Sequence, residues 1–357
     1  MIWADKKFID FIQLQRGHDL TKEHFKNGPY PVVSSTSIMG YHQEYKAEAP
    51  GVVIGRSGTL GKVQYITENY WPHNTALFVK DFKGNCPRFV YYFLTDFSTD
   101  KHGGGAAVPT LNRNSLSGIT IRVPEIDTQK RIADILSAYE DLIDNNRKQI
   151  ILLEEAAMRL YKEWFINLRF PGHEKIKIID SVPEDCEIKE IGELISKVPR
   201  TKQVMTSEYK EYGKIPIIDQ SKEFIAGYTD DNETIVDMAV PVIVFGDHTR
   251  ALKLVNFPFA KGADGTQLIV SGNDRIPQHL LYCSLINIDL SNYHYARHFK
   301  YLKATGILVP SQNLADKFEM IVEPYFSSIQ CLRDKIILLQ KARNILLPKL
   351  MSGEIEV

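Results

Sequence analysis

The apolar residues of this chain change period, and the whole change is then repeated. In residues 1–122 they come in short runs bounded by Gly, Pro, Asn and Lys. Val52-Val53-Ile54 and Ala76-Leu77-Phe78-Val79 read as strands, Phe89 to Leu94 as a short helix, and Lys101 to Asn114, with its three glycines, as a loop. From about Thr128 the period lengthens. Tyr139, Ile143, Asn146, Ile150, Leu153, Ala157, Leu160 and Trp164 step alternately by four and three, a heptad seam. The pattern predicts a helix over 129–166, roughly 57 Å long at helical rise, ended by Phe170-Pro171-Gly172. Residues 175–185 read as a connector, and 187–309 as a second β-rich unit with Pro241 to Phe245 and Gln267 to Val270 as strands. A second seam closes the chain: Tyr325, Ile329, Leu332, Ile336, Leu339, Arg343, Leu346 and Leu350.

Each position of the second seam lies 186 residues after its counterpart in the first. The same offset links Ile119 to Pro124 with Thr305 to Pro310, and Arg147 to Leu153 with Arg333 to Leu339. Pro31-Val32-Val33 with Gly40-Tyr41 is echoed by Pro216-Ile217-Ile218 with Gly227-Tyr228, at offsets of 185 to 187. That period is far longer than a solenoid repeat, so it marks a duplicated half-molecule. Two seams of equal length predict helices packed on each other, antiparallel. The competing topology folds each helix back on its own β unit. Asn146 either fixes the register of the seam or sits at its edge.

Composition narrows the class. At 357 residues there is room for two or more domains, and no apolar run reaches the roughly 18 residues of a membrane span. The N-terminus lacks an apolar stretch of signal-peptide length. Cys86, Cys186, Cys283 and Cys331 lie far apart with no C-x-x-C pair, which fits thiols in a reducing cytoplasm. The net charge of −1 lacks the basic excess of a dedicated nucleic-acid binder, so any positive surface must be local or come from a partner. Acidic and basic residues balance along 129–166, as on a solvated or partner-facing helix.

Gly55-Arg56-Ser57-Gly58-Thr59-Leu60-Gly61-Lys62 looks like a phosphate loop but has Val63 where the motif needs Ser or Thr, and it also fails G-x-G-x-x-G. What remains is a glycine-rich hairpin whose side chains can donate to phosphates or base edges; an ordinary tight turn fits as well. Trp71-Pro72-His73-Asn74-Thr75 is a polar cluster beside it, suited to base contacts or to a capped turn. Gly246 to Arg250 and Lys261 to Gln267 take similar places in the second half. Asp247-His248 could suggest a metal or an acid–base pair, but no further ligand stands at suitable spacing. Asn27-Gly28-Pro29-Tyr30 is not the methyltransferase tetrad, since Gly stands second, and Glu187-Ile188-Lys189 lacks the aspartate of a metal nuclease. No catalytic constellation emerges.

Together these residues resemble the specificity subunit of type I restriction-modification systems. The likeness rests on Val53 to Val63, Trp71 to Thr75, Ala107 to Asn112, Gln129-Lys130-Arg131-Ile132-Ala133, Val182 to Lys189 and Leu346 to Ile355. It implies an α+β fold of two similar, mostly-β target-recognition domains separated by two long antiparallel helices in a coiled coil, with internal pseudo-twofold duplication. The division is 1–127 (recognition domain 1), 128–170 (first helix), 171–310 (recognition domain 2) and 311–357 (second helix). The resemblance also implies a non-catalytic, cytoplasmic subunit that binds double-stranded DNA. Its helices dock methylation subunits, and restriction subunits join through these. S-adenosylmethionine, ATP and Mg are expected on the partner subunits and no cofactor on this chain.

The candidate DNA contacts are Arg56, Ser57, Gly58, Thr59, Lys62, His73, Asn74, Thr75, Asn112 and Arg113 in the first half, and His248, Thr249, Arg250, Lys253 and Lys261 in the second. Candidates for the helix seam are Tyr139, Ile143, Ile150, Leu153, Leu160, Trp164, Tyr325, Ile329, Ile336, Leu339 and Leu346. The second half departs from the family pattern. Pro310 to Lys317 lacks the Gln-Lys-Arg of the first half, and Gly246 to Arg250 does not repeat Gly-Arg-Ser-Gly-Thr. The alternatives are a duplicated protein-binding scaffold that binds no DNA, and a stand-alone enzyme with an unrecognised site.

Overall fold

The echo of Pro31-Val32-Val33 in Pro216-Ile217-Ile218 is an echo of strand register. In the computed structural model, Pro31 pairs with Tyr41 and Val32 with Gly40; Pro216 pairs with Tyr228 and Ile217 with Gly227. The structure describes residues 2–56, 61–97, 103–104, 110–111, 113–292 and 297–357. It forms two units, residues 1–145 with 335–357, and residues 146–334.

Unit 1 contains an antiparallel sheet of Gln13–Arg16, Ala76–Asp81, Gly51–Gly55 and Val63–Ile66, in that spatial order. A second sheet orders Ile38–His42, Tyr30–Val33 and Trp71–Pro72, the last two parallel. Trp3–Lys7 pairs with Thr120–Pro124, and the helix Pro87–Asp96 covers the first sheet. Unit 2 repeats the plan. Its first sheet orders Ile195–Ser196, Thr266–Ser271, Val242–Gly246 and Leu252–Val255. Its second orders Gly227–Thr229, Ile215–Ile218, Phe259–Lys261 and Ile235–Val236. Glu187–Glu190 pairs with Gly306–Val309, and Gln278–Ile286 is the covering helix.

The central strands are apolar throughout because both faces are covered. Val52 and Ile54 join the helix-side core with Phe89 and Tyr92, whereas Val53 faces Val33, Tyr70 and Phe78. In unit 2, Ile243 and Phe245 join the core of Leu280 and Phe318, while Val242 and Val244 face Ile218 and Phe259. Successive side chains of one strand therefore serve two cores.

Two long helices, Ile126–Tyr161 and Gln312–Ser352, contribute to both units. The first starts three residues earlier than the heptads predict and continues through a π-helical turn, Lys162–Ile166. Every predicted seam position is buried or half-buried. In unit 1, Leu350 and Met351 share a core with Ile132, Ala133 and Leu136, and Arg343 lies 3.7 Å from Glu140. In unit 2, the rings of Tyr161 and Trp164 meet Phe318, and Arg333 reaches Glu154. In both units rising numbers on one helix meet falling numbers on the other, so the packing is antiparallel and helix on helix. Asn146 is 8% exposed, inside the seam rather than at its edge.

The two halves start their long helices by different means. Gln129, 2% exposed, donates to Pro124 O (2.9 Å) and Asn85 Oδ1 (2.8 Å) and accepts from Cys86 N–H. The second half has no glutamine there. Arg275 instead donates to Pro310 O at 2.6 Å and pairs with Glu187 at 2.8 Å. Pro310 is the counterpart of Pro124, so the carbonyl before each helix keeps a partner.

Two expected loops hold structure. Within 101–114, Gly103–Gly104 pairs with Thr110–Leu111, and Arg113–Ser117 is a short helix. Within 175–185, Ile178–Ile179 pairs with Val182–Pro183 through Asp180 and Ser181, at φ 49° and 67°. Two successive left-handed residues make the tight hairpin turn whose twist matches paired strands. Among the described residues, no helix is long and apolar enough to cross a membrane.

Candidate nucleic-acid interface

Parallel pairing brings polar turns together at one end of each unit. Tyr30–Val33 runs parallel to Trp71–Pro72, so the turns that follow, 34–37 and 73–75, lie side by side. Ser35 N–H donates to Thr75 Oγ1 at 3.3 Å. The hairpin after Gly51–Gly55 joins them: Arg56 N–H donates to Thr75 O at 3.1 Å, its Nη1 donates to Asn74 O at 3.3 Å, and its carbonyl accepts from Leu111 N–H at 2.9 Å. Gln64 Nε2 donates to Ser34 O at 2.7 Å.

Unit 2 builds the same edge with other side chains. Ile215–Ile218 runs parallel to Phe259–Lys261, which places residues 219–226 beside 262–265. Asp247 N–H donates to Gly265 O at 2.7 Å, matching the Arg56–Thr75 bond of unit 1. Gly55 N–H donates to Lys62 O, and Gly246 N–H to Ala251 O, closing both hairpins. Gly55-Arg56 and Gly246-Asp247 therefore make equivalent backbone bonds although the sequences that follow them are unlike.

The predicted residues divide by environment. Lys62 is exposed, and Arg56, Asn74 and Thr75 are half-buried at the edge. Asn74 donates to the Asp19 carboxylate. His73 is buried, with Nε2 3.1 Å from Leu20 O and Nδ1 3.1 Å from Thr75 Oγ1; both ring nitrogens are engaged internally. Ser57, Gly58, Thr59 and Asn112 lie outside the described residues, and Arg113 opens the short helix Arg113–Ser117. His248, Thr249 and Arg250 are exposed on the second hairpin. Lys261 is half-buried, and burial together with the nearby Arg200 cation holds its pKa below the usual lysine value.

Lys253 corrects an expectation. It is 6% exposed and donates to Asp219 O at 2.9 Å and to Glu223 O, with the Asp219 carboxylate 3.8 Å away. Its ammonium holds the 219–223 turn together and is not presented to a phosphate. Burial depresses its pKa. Asp247 is likewise structural: Oδ1 accepts from Phe299 N–H at 2.8 Å, at the start of the helix His298–Lys303. Among the described residues there is no group of three or more His, Cys, Asp or Glu placed to hold a metal ion.

Sequence reasoning missed the turn after the third strand of each half. Ser34 to Ser37, and Asp219 to Glu223 with Gln220, complete the two edges. No motif marks them; their importance comes from the parallel pairing, which joins residues about 40 positions apart.

Duplicated β units, each with such a polar edge, together with paired long helices define the fold class of this chain. Residues 2–155 match the family model described as the type I restriction modification DNA specificity domain. It is 26% identical, over 77% of its length and 70% of the relative's, to the type I restriction enzyme MjaIX specificity subunit of Methanocaldococcus jannaschii. It is 23% identical to the putative type I specificity subunit S.MpnORF507P of Mycoplasma pneumoniae, over 61% of this chain and 60% of that one. The crystal structure of the type I restriction-modification S subunit from M. genitalium shares the fold, with TM-score 0.65, 17% identity and coverage of 98% and 96%. Both of these relatives are named as specificity subunits of type I systems.

Proposed function

We propose that residues 1–127 and 171–310 each read one half of a split double-stranded DNA target. The stretches 128–170 and 311–357 space the two readers and dock methylation subunits, through which restriction subunits attach. S-adenosylmethionine, ATP and Mg2+ act on those partners, in the cytoplasm. One observation carries this reading: the same three-turn edge is built twice around the same backbone bond, Arg56 to Thr75 and Asp247 to Gly265, while the side chains at the tips differ. A constant scaffold with different tips suits reading two different short sequences.

The contact set is Arg56, Lys62, Asn74 and Thr75 in the first reader, with the sequence candidates Ser57, Gly58, Thr59, Asn112 and Arg113. In the second it is His248, Thr249, Arg250 and Lys261. Basic side chains fix position on phosphates, and amide and hydroxyl groups meet base edges. Lys253 and His73 are left out because their polar atoms have internal partners.

Co-expression with the cognate methylation subunit, followed by genome-wide mapping of methylated bases, tests this. A bipartite motif with a fixed unread gap is expected. A continuous motif would leave one reader only. A stable complex that neither methylates nor shifts DNA in a salt-dependent way would favour the protein-binding scaffold.

A further inference from the structure

We infer that Gln220 is a positioning residue that sets the base preference of the second reader alone; the inference rests on the DNA-reading proposal above. Gln220 lies two residues beyond Ile215–Ile218 and touches both neighbouring turns. Its Oε1 accepts from His248 N–H at 3.2 Å, and its Nε2 donates to Asp264 O at 2.8 Å. Its main-chain carbonyl accepts from Thr249 Oγ1 at 2.6 Å. Both ends of one carboxamide are used, each on a different turn, so the side chain fixes the distance between the 247–250 hairpin and the 262–265 turn.

The surrounding backbone is shaped around it. A Cβ on Gly246 would lie 2.8 Å from Gln220 Cβ and 2.2 Å from Thr249 Oγ1. Gly265 has φ +81°, and a Cβ there would lie 3.0 Å from Gln220 Oε1. Two glycines thus allow the close approach that the amide needs. In the first half, register places Ser35 at the same point: Val33 pairs with Pro72 as Ile218 pairs with Lys261. Ser35 offers only its main-chain N–H to Thr75 Oγ1. The first edge is held by Arg56, the second by Gln220, and loss of Gln220 leaves the first untouched.

Gln220→Met keeps length and removes both side-chain bonds. Gln220→Glu keeps the acceptor for His248 N–H and loses the donor to Asp264 O. Each is co-expressed with the methylation subunit, methylated bases are mapped, and thermal unfolding is compared with wild type. In Gln220→Met, discrimination at one or two base pairs of one half-site should relax about tenfold, the other half-site staying as in wild type. Gln220→Glu should relax the same positions less. Unchanged stringency in both variants overturns the inference, as does equal relaxation of both half-sites, which would be general destabilisation. If Gln220→Met does not assemble, the same comparison on Gln220→Glu decides. A wild-type map with no bipartite motif overturns the DNA-reading proposal and this inference together, whereas a bipartite wild-type map with unaffected variants overturns this inference alone.

Discussion

Arg333 donates to Glu154 at 3.1 Å across the two long helices, and its guanidinium lies 4.0 Å from the centre of the Phe224 ring. One side chain thus ties both helices to the β part of unit 2. Burial lowers the Arg333 pKa and raises that of Glu154, each partly offset by the other's charge. The pair is neither fully exposed nor fully buried. Arg333→Ala should cost about 1–3 kcal/mol, between exposed and buried ion pairs. Arg333→Lys should recover only part, because the fork and the ring stacking are lost. Denaturant unfolding of the single variants, and of Arg333→Ala with Glu154→Gln, measures this; additive effects would mean the pair is not coupled.

Alkaline pH should unfold this protein earlier than neutral pH does. Burial pushes up the thiol of Cys283 and the phenols of Tyr70 and Tyr282. Burial, followed by the Glu140 charge, pushes Tyr91 up to about 12. In the unfolded chain these groups release protons from about pH 8.5 to 10; in the folded chain they retain them. The unfolded state then binds fewer protons, so stability falls as pH rises through that window. Lys253 and Lys261, with depressed pKa values, act in the opposite sense but are outnumbered by these four groups. Melting temperatures between pH 7 and 10.5 should decline from about pH 8.5, and Cys283→Ala should flatten the first part of the decline.

The docking surface of the helices should be apolar rather than charged. Leu152 is 63% exposed and its counterpart Leu338 is 65% exposed; Ile151 and Ile337 beside them are exposed as well. The exposed flanking charges reverse sign: Lys148 answers to Asp334 and Glu155 to Lys341. Under the docking proposed above, the apolar pair is what the two helices offer in common. Leu152→Asp and Leu338→Asp should leave the melting temperature within about 2 °C, since surface changes usually cost under about 0.5 kcal/mol. Each should weaken capture of one methylation subunit in co-purification. Retention of both subunits by the double variant would refute apolar docking.

Lys62 and Lys253 should fail in different ways. Lys62 is exposed at the hairpin, so Lys62→Ala should weaken DNA binding evenly across sequences and lower the salt slope by about one. Lys253→Met should leave that slope alone and lower stability by about 1–3 kcal/mol, because the carbonyls of Asp219 and Glu223 lose their donor. Salt-titrated binding isotherms alongside unfolding curves distinguish the two.

The chain by itself determined the duplication, the two long helices and the strands that fill the cores. Those properties are periodic: heptads from Tyr139 to Trp164 and from Tyr325 to Leu350, and apolar runs such as Val52 to Ile54 and Val242 to Phe245. Burial acts on the side of the backbone a residue occupies, and sequence spacing records that side directly. It also supplied the family likeness, through motifs carried mostly by the first half. The tertiary structure alone decided which polar residues are free to meet a ligand. Lys253 and Lys261 lie eight positions apart in similar company, yet the first is consumed by the 219–223 turn and the second stands beside Arg200 at the edge. Gln220 had no signal because its partners, His248 and Asp264, are 28 and 44 residues away. A hydrogen bond forms at about 3 Å whatever the separation along the chain, and only the parallel pairing of Ile215–Ile218 with Phe259–Lys261 brings those turns within reach.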